Sequence, residues 1–225
     1  MNKKFSLQND IRIGLKKYPN LTLRIEKNSF IVQGNWLAID RKNNVEIALY
    51  EVIISFDTKY PNCFPKVWEI SNKIPKDLDR HIKKDGTLCF ANPQDELRVC
   101  KTGITFVWFL ENILNTHLVR EYYREMEGEY PTGERSHGNE GIWEGYYEIF
   151  LTKNKAEILK QLEIILQAKS WARNAKCYCN TSEKKYKSCH EKIEKLVFTI
   201  SKKDVGLIYN ILKKDFENKH NERFT

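Results

Sequence analysis

Apolar residues recur at every second position early in the chain and at every third or fourth position from residue 102 onward. That single change of period restricts the fold more than any other feature. Leu21, Leu23 and Ile25 alternate with Thr22, Arg24 and Glu26, the pattern of a strand with one face covered. A turn at Lys27-Asn28-Ser29 leads to a second strand predicted from Phe30 to Ile39, with Gly34 at a bulge. After a polar turn from Asp40 to Asn44, Val45, Ile47, Leu49, Glu51 and Ile53 fall on one face of a third strand. Ala48, Tyr50, Val52 and Ile54 fall on the other, so this strand is predicted to be central and covered on both sides. Val67 to Ile70 forms a shorter fourth strand. A short amphipathic helix over Ser6 to Tyr18, with Ser6 as its N-cap, precedes the strands. The stripe Phe106, Phe109, Leu110, Ile113, Leu114, His117 and Leu118 predicts a helix from Thr102 to Met126 that covers the sheet, with His117 as a satisfied core histidine. The fold class is therefore α+β, a four-stranded antiparallel meander with flanking helices.

Beyond that helix the pattern breaks from Glu127 to Ile142, where Gly128, Pro131, Gly133, Gly138 and Gly141 predict a long loop. Helical spacing resumes over Trp143 to Leu151 and Ala156 to Trp171, and again in two stretches between residues 191 and 215, with Gly206 a weak point. The expected division is a first domain over residues 1–150, a connecting helix over 151–172 and a small tail over 173–225. The net charge of +8 lies in the tail end: residues 1–150 hold 21 basic and 21 acidic side chains, whereas 151–225 hold 17 basic and 9 acidic. A basic tail fits either an acidic partner such as nucleic acid or a solvated lysine-rich surface. Few aromatics lie there to stack on bases, so the solvated surface is the stronger reading and nucleic acid is not the expected partner. No apolar run approaches the roughly 20 residues that span a bilayer. Met1-Asn-Lys-Lys-Phe5 lacks an exporting apolar stretch, so a cytoplasmic location with no membrane partner is expected.

Six cysteines in such a setting argue against structural disulfides. Three of them, Cys177, Cys179 and Cys189, crowd near the end of the chain and are followed by His190. Three thiolates and one imidazole so closely spaced can close a tetrahedral zinc site. Using all four positions makes the zinc structural, holding a segment too small to build its own core. Cys89 stands apart, in His81-Ile-Lys-Lys-Asp85-Gly86-Thr87-Leu88-Cys89-Phe90. It reads either as an accessible nucleophile or as an inert cysteine in a short strand, and the flanking order favours the first. Gly86 allows a tight backbone approach just before it. Pro93 is expected to end any regular structure, and Cys63 and Cys100 read as packing residues.

Two resemblances follow from these residues. Tyr60-Pro61-Asn62-Cys63-Phe64-Pro65, then Asp85-Gly86-Thr87-Leu88-Cys89, then Ile104-Thr105-Phe106 entering a helix, resemble in order the marks of ubiquitin-conjugating enzymes over roughly residues 5–125. The string from Cys177 to His190, with Lys184-Lys185-Tyr186-Lys187 inside it, is similar to the SEC-C motif, a small zinc knuckle. It departs by one extra residue before Cys189 and by Asn180-Thr-Ser-Glu183 in place of Gly-Ser-Gly.

The first resemblance implies that Cys89 carries another protein's C-terminus as a thioester and transfers it to a lysine amine. The family's His-Pro-Asn is absent: His81 lies eight residues before Cys89 and is followed by Ile82-Lys83. His81 therefore fits either the family's oxyanion-supporting Asn position or its structural His position with a shortened loop. Asn92 is a substitute donor, and His137, in a Gly-rich loop, is either a gate or base for the attacking lysine or an ordinary loop residue. Together the resemblances imply a bacterial anti-phage component. Its protein partner would be a ubiquitin-like protein or a nucleotidyltransferase that makes cyclic nucleotides, with a separate activating enzyme. The alternatives are a catalytically inactive scaffold that binds the same partners and a zinc-tailed nucleic-acid-associated protein.

Overall fold

Side chains that cap, and side chains that alternate, set the first elements of the chain. The computed structural model describes residues 6–26, 29–130, 136, 138–179 and 183–221, with backbone alone at 220 and 221. Lys27 and Asn28 of the predicted first turn lie outside these residues. Helix α1 (Leu7–Lys17) starts where the Ser6 hydroxyl accepts the Asn9 N–H at 3.4 Å. Strands β1 (Leu21–Glu26), β2 (Ser29–Asp40), β3 (Val45–Ser55) and β4 (Lys66–Glu69) pair in chain order as an antiparallel meander. The Asp40 carboxylate turns β2 into β3 by accepting the N–H groups of Lys42 (2.9 Å) and Asn43 (3.2 Å).

Two expectations about the sheet are corrected. The irregularity in β2 lies between Ala38 and Ile39, not at Gly34. There the Asn115 amide accepts the Ile39 N–H at 3.0 Å and donates to the Ile39 carbonyl at 2.8 Å. One buried side chain so satisfies the backbone groups of a residue at the register shift. Gly34 instead permits close approach: a Cβ there would stand 2.1 Å from the Asn20 carbonyl oxygen. Strand β3 is covered on one face only. Tyr50, Val52 and Ile54 are buried, whereas Val45 and Leu49 are 51% and 45% exposed. The helical partner of β2 and β3 is α4 (Asn115–Glu127), which lies over the buried face, where the Tyr50 hydroxyl donates to the Leu118 carbonyl at 3.4 Å.

The long amphipathic stripe becomes a chain of helical segments. It runs from α3 (Phe106–Phe109) through a π turn (Leu110–Leu114) into α4. Thr105 caps it by accepting the Trp108 N–H at 3.2 Å. Buried Asp10 accepts both the Phe106 N–H (2.8 Å) and the Tyr60 hydroxyl (2.7 Å), tying α1 to the start of α3. Gly128, left-handed at φ 82°, ends α4. Phe106, Phe109, Leu110, Leu114 and Leu118 are fully buried with Val32, Val52 and Ile54 in one core.

By its contacts the chain divides into two units: residues 1–91 with 95–134, and 92–94 with 135–225. Helix α2 (Pro93–Val99) begins at Pro93, so that proline starts a helix rather than ending structure. The first position of a helix needs no N–H donor and suits the fixed φ of proline. In the second unit, α5 (Gly138–Phe150) begins inside the predicted loop, and α6 (Lys155–Gln167) is capped by Asn154 and stops before Trp171. After α7 (Glu191–Val197), α8 (Lys202–Asn221) runs unbroken through Gly206, anchored by buried Val205, Ile208 and Leu212. The Trp143 indole N–H and the Asn139 amide both donate to Asp215, at 2.9 and 3.0 Å, joining α5 to α8. Among the described residues no helix is long and apolar enough to cross a membrane.

Candidate functional site

Cys89 closes a small hairpin built by local side chains. Asp77 accepts the Asp79 N–H at 3.0 Å and starts a tight turn over Leu78–Arg80. His81 then takes a left-handed conformation, φ 52°. Ile82 pairs across from Leu88, both buried in the core, while the Lys83 N–H donates to the Thr87 carbonyl at 2.8 Å. Gly86, at φ 80°, turns the chain, and the Asp85 carboxylate holds the turn by accepting the Thr87 hydroxyl (2.6 Å) and N–H (3.1 Å). The Leu88 N–H hooks the hairpin to the Val67 carbonyl of β4 at 2.8 Å, and the Cys89 N–H donates to the His81 carbonyl at 2.7 Å.

Cys89 is half-buried. Leu88 and Phe90, on either side of it, line a cleft of about 390 Å³ together with Cys63, Phe64 and Pro65. Burial pushes the Cys89 thiol above its ordinary range, Glu96 adds to this, and the Lys83 ammonium opposes it. Cys63 also lines the cleft, with its thiol pushed to about 11 chiefly by burial. Cys100 is fully buried and pushed to about 12 by the same cause.

His81 meets Cys89 through the backbone, while its imidazole lies 5.9 Å from that of His117 and 5.3 Å from the Tyr130 ring. His117 is not the satisfied histidine expected: its Nε2 is buried and has no hydrogen-bond partner among the described residues. Burial, helped by His81 and Arg120, pulls its titration down to about 3. Beside this group sits a network that sequence spacing did not reveal. Glu121, 1% exposed, accepts Arg80 Nε at 3.0 Å and the Tyr130 hydroxyl. Asn92 belongs to the second unit, where its amide donates to the Gly141 carbonyl at 3.4 Å. His137 lies outside the described residues.

The second site is a closed cluster. Lys176 bridges Lys185, the Cys177 N–H donates to the Lys184 carbonyl at 3.0 Å, and the Tyr186 N–H to the Ala175 carbonyl at 2.9 Å. This pairing brings Cys177 and Cys179 toward Cys189 and His190 at the start of α7. The four ligand atoms lie within 4.8 Å of one another. Tetrahedral zinc, with bonds of about 2.3 Å to sulfur and about 2.0 Å to nitrogen, sets S···S near ~3.8 Å and S···N near ~3.5 Å. The cluster shows Cys179 Sγ to Cys189 Sγ at 3.7 Å, and His190 Nδ1 at 3.3 Å from Cys177 Sγ and 3.2 Å from Cys189 Sγ. These residues fit a metal ion. The other ring nitrogen, His190 Nε2, lies 2.7 Å from Gln161 Oε1 on α6, which fixes the tautomer that leaves Nδ1 free to ligate. Burial lowers the titration of His190 and so keeps its ring neutral. Tyr178 and Tyr186 both donate to Glu194 and wall the cluster on one side. Gln161 carries no sequence signal, since it stands far from the ligands along the chain within an ordinary amphipathic helix.

Comparison with known proteins finds no matching family model, no matching curated protein and no matching solved structure.

Proposed function

We propose that this chain is a ubiquitin-conjugating-like acyl transferase with a structural zinc knuckle. The observation that carries the reading is Cys89 itself, half-exposed between two residues that line a cleft, on a hairpin that leaves β4 ahead of α3 and α4. A helix, a four-stranded meander in chain order, a cysteine turn and a helix are the order expected of that fold. In the proposed reaction the Cys89 thiolate attacks the activated C-terminal carbonyl of a donor protein and displaces its leaving group. A lysine amine then attacks the thioester, an amide bond forms, and the thiol is regenerated. The hairpin orients the sulfur: four backbone hydrogen bonds and the Asp85–Thr87 clasp leave the Cys89 backbone little freedom. The donor is expected to be a cyclic-nucleotide-producing nucleotidyltransferase or a ubiquitin-like protein in a bacterial defence system, charged by a separate activating enzyme. Cys177, Cys179, Cys189 and His190 would hold the zinc. With no open coordination position it supplies a cross-link rather than a reaction step.

Cys89→Ser is expected to abolish transfer to lysine while leaving the circular dichroism spectrum and the zinc content unchanged. Undiminished transfer by that variant would overturn the enzyme reading. One observation favours the scaffold instead: the Cys89 thiol is raised by burial while the His81 ring packs against His117 and Tyr130. In that case Cys89→Ser would leave partner binding and cellular function intact.

A further inference from the structure

The cleft beside Cys89 carries six charged side chains: Asp57, Lys59, Lys66, Lys83, Asp85 and Glu96. Each carboxylate is engaged close at hand. Asp57 accepts the Lys59 N–H at 2.9 Å, Asp85 accepts both donors of Thr87, and Glu96 accepts the Phe64 N–H at 2.9 Å. No salt bridge engages any of the three ammonium groups among the described residues. Formal charges in the cleft cancel, but hydrogen-bonding capacity does not: what is left over is donor capacity on lysine.

Lys83 differs from the other two lysines in its mounting. It stands on the hairpin that Cys89 closes, pinned by its own N–H to the Thr87 carbonyl and by the Gly86 N–H to its own carbonyl, both at 2.8 Å. The same hairpin ends in the bond from the Cys89 N–H to the His81 carbonyl. Lys83, which lines the cleft, and Cys89 therefore stand on one short, doubly clasped turn whose backbone is held by hydrogen bonds. The imidazole of His81 packs against His117 and Tyr130, and His81 does not line the cleft.

We propose that Lys83 supports negative charge at Cys89, first on the thiolate and then on the oxyanion formed when an activated protein C-terminus is attacked. The second half of this assignment rests on the acyl-transfer reading; the first half does not. In the step concerned, the thiol proton leaves to solvent and the sulfur pair forms the S–C bond. The carbonyl π pair moves to oxygen beside the ammonium. Collapse of the oxyanion then expels the leaving thiolate of a donor thioester, which takes its own bonding pair. The charged groups acting on the Cys89 thiol are Lys83, which favours its ionisation, and Glu96, which opposes it.

The test uses the full chain with its metal. Cys89 alkylation by iodoacetamide is followed from neutral to alkaline pH by peptide mass spectrometry, which separates Cys89 from the other five cysteines. Lys83→Met is expected to move the midpoint up by about half to one pH unit. Lys83→Arg, which keeps the charge, is expected to restore it. With a synthetic peptide thioester as acyl donor, Lys83→Met is expected to slow acylation of Cys89 about tenfold, again with rescue by arginine. An unmoved alkylation midpoint in folded Lys83→Met, or a failure of Lys83→Arg to restore it, overturns the assignment. If the midpoint moves but wild-type Cys89 accepts no acyl group from the thioester, charge support stands and the acyl-transfer reading falls.

Discussion

The chain keeps its cysteines in two settings that differ in what each sulfur meets. Cys177, Cys179 and Cys189 face one another and His190, with every ligand atom within 4.8 Å of the rest. Cys89 belongs to no such cluster among the described residues and sits half-buried beside a cleft. The histidines repeat the contrast. His190 is buried with a partner on each ring nitrogen, whereas the buried Nε2 of His117 has none among the described residues. A closed ring of donors is suited to hold an ion and little else, because no position is left for a substrate. A half-buried sulfur beside a cleft, outside any such cluster, has the opposite quality: burial keeps it weakly ionised, and it holds no set of partner donors. Two settings of one residue type are therefore separated by what surrounds each sulfur, not by composition.

The sharpest way to break this contrast is to remove a ligand. Structural zinc contributes on the order of 10 kcal/mol to so small a fold. Cys189→Ser, or chelation of the wild type, is expected to take metal content from one zinc per chain to none. Hydrogen-exchange protection at the Cys177 N–H, which is bonded to Lys184, is expected to go with it. A Cys189→Ser chain that kept one tightly held zinc and that protection would make the cluster accidental. A smaller effect is expected one layer out. Gln161→Leu leaves all four ligands but frees the His190 ring, and should weaken zinc binding about 10- to 100-fold in a competition titration with a chromogenic chelator. Equal affinity would show that Gln161 is a bystander.

The smallest effect belongs to the partnerless histidine. His117 takes its proton near ~6.5 in the unfolded chain, but only at about 3 in the folded one. Between those values the unfolded state binds more protons, so stability falls as pH falls, by up to about 1.4 kcal/mol per pH unit. His117→Leu removes that contribution. Urea midpoints measured at neutral pH and at about pH 5 should fall less in the variant than in the wild type. Identical pH slopes would place the proton-linked loss in other groups.

Much of this contrast can be read from residue order, because its causes are local. The alternation of Leu21, Leu23 and Ile25 and the stripe from Phe106 to Leu118 need only their own period to declare strand and helix. The four candidate ligands are confined to the string from Cys177 to His190, so a short stretch of chain is enough to bring them together. What escaped depends on distant partners. Gly34 looked like a bulge because a glycine in a strand fits both a bulge and a close approach, and only the Asn20 carbonyl decides. Covering β3 on both faces was expected from an apolar run that carries no record of which face a helix takes. Pro93 read as a stop, since the same fixed φ ends one element and begins the next. The Arg80–Glu121–Tyr130 network and Gln161 join residues far apart in the chain and have no spacing to reveal them.

Whether Cys89 accepts an acyl group can be read from intact mass. The full chain is incubated with a synthetic peptide thioester at neutral pH, then split and treated with or without dithiothreitol. One added peptide mass per chain is expected, removed by dithiothreitol, mapped to Cys89 and absent from Cys89→Ser. Contradiction would be a chain that keeps its unmodified mass, or an adduct that Cys89→Ser forms equally well.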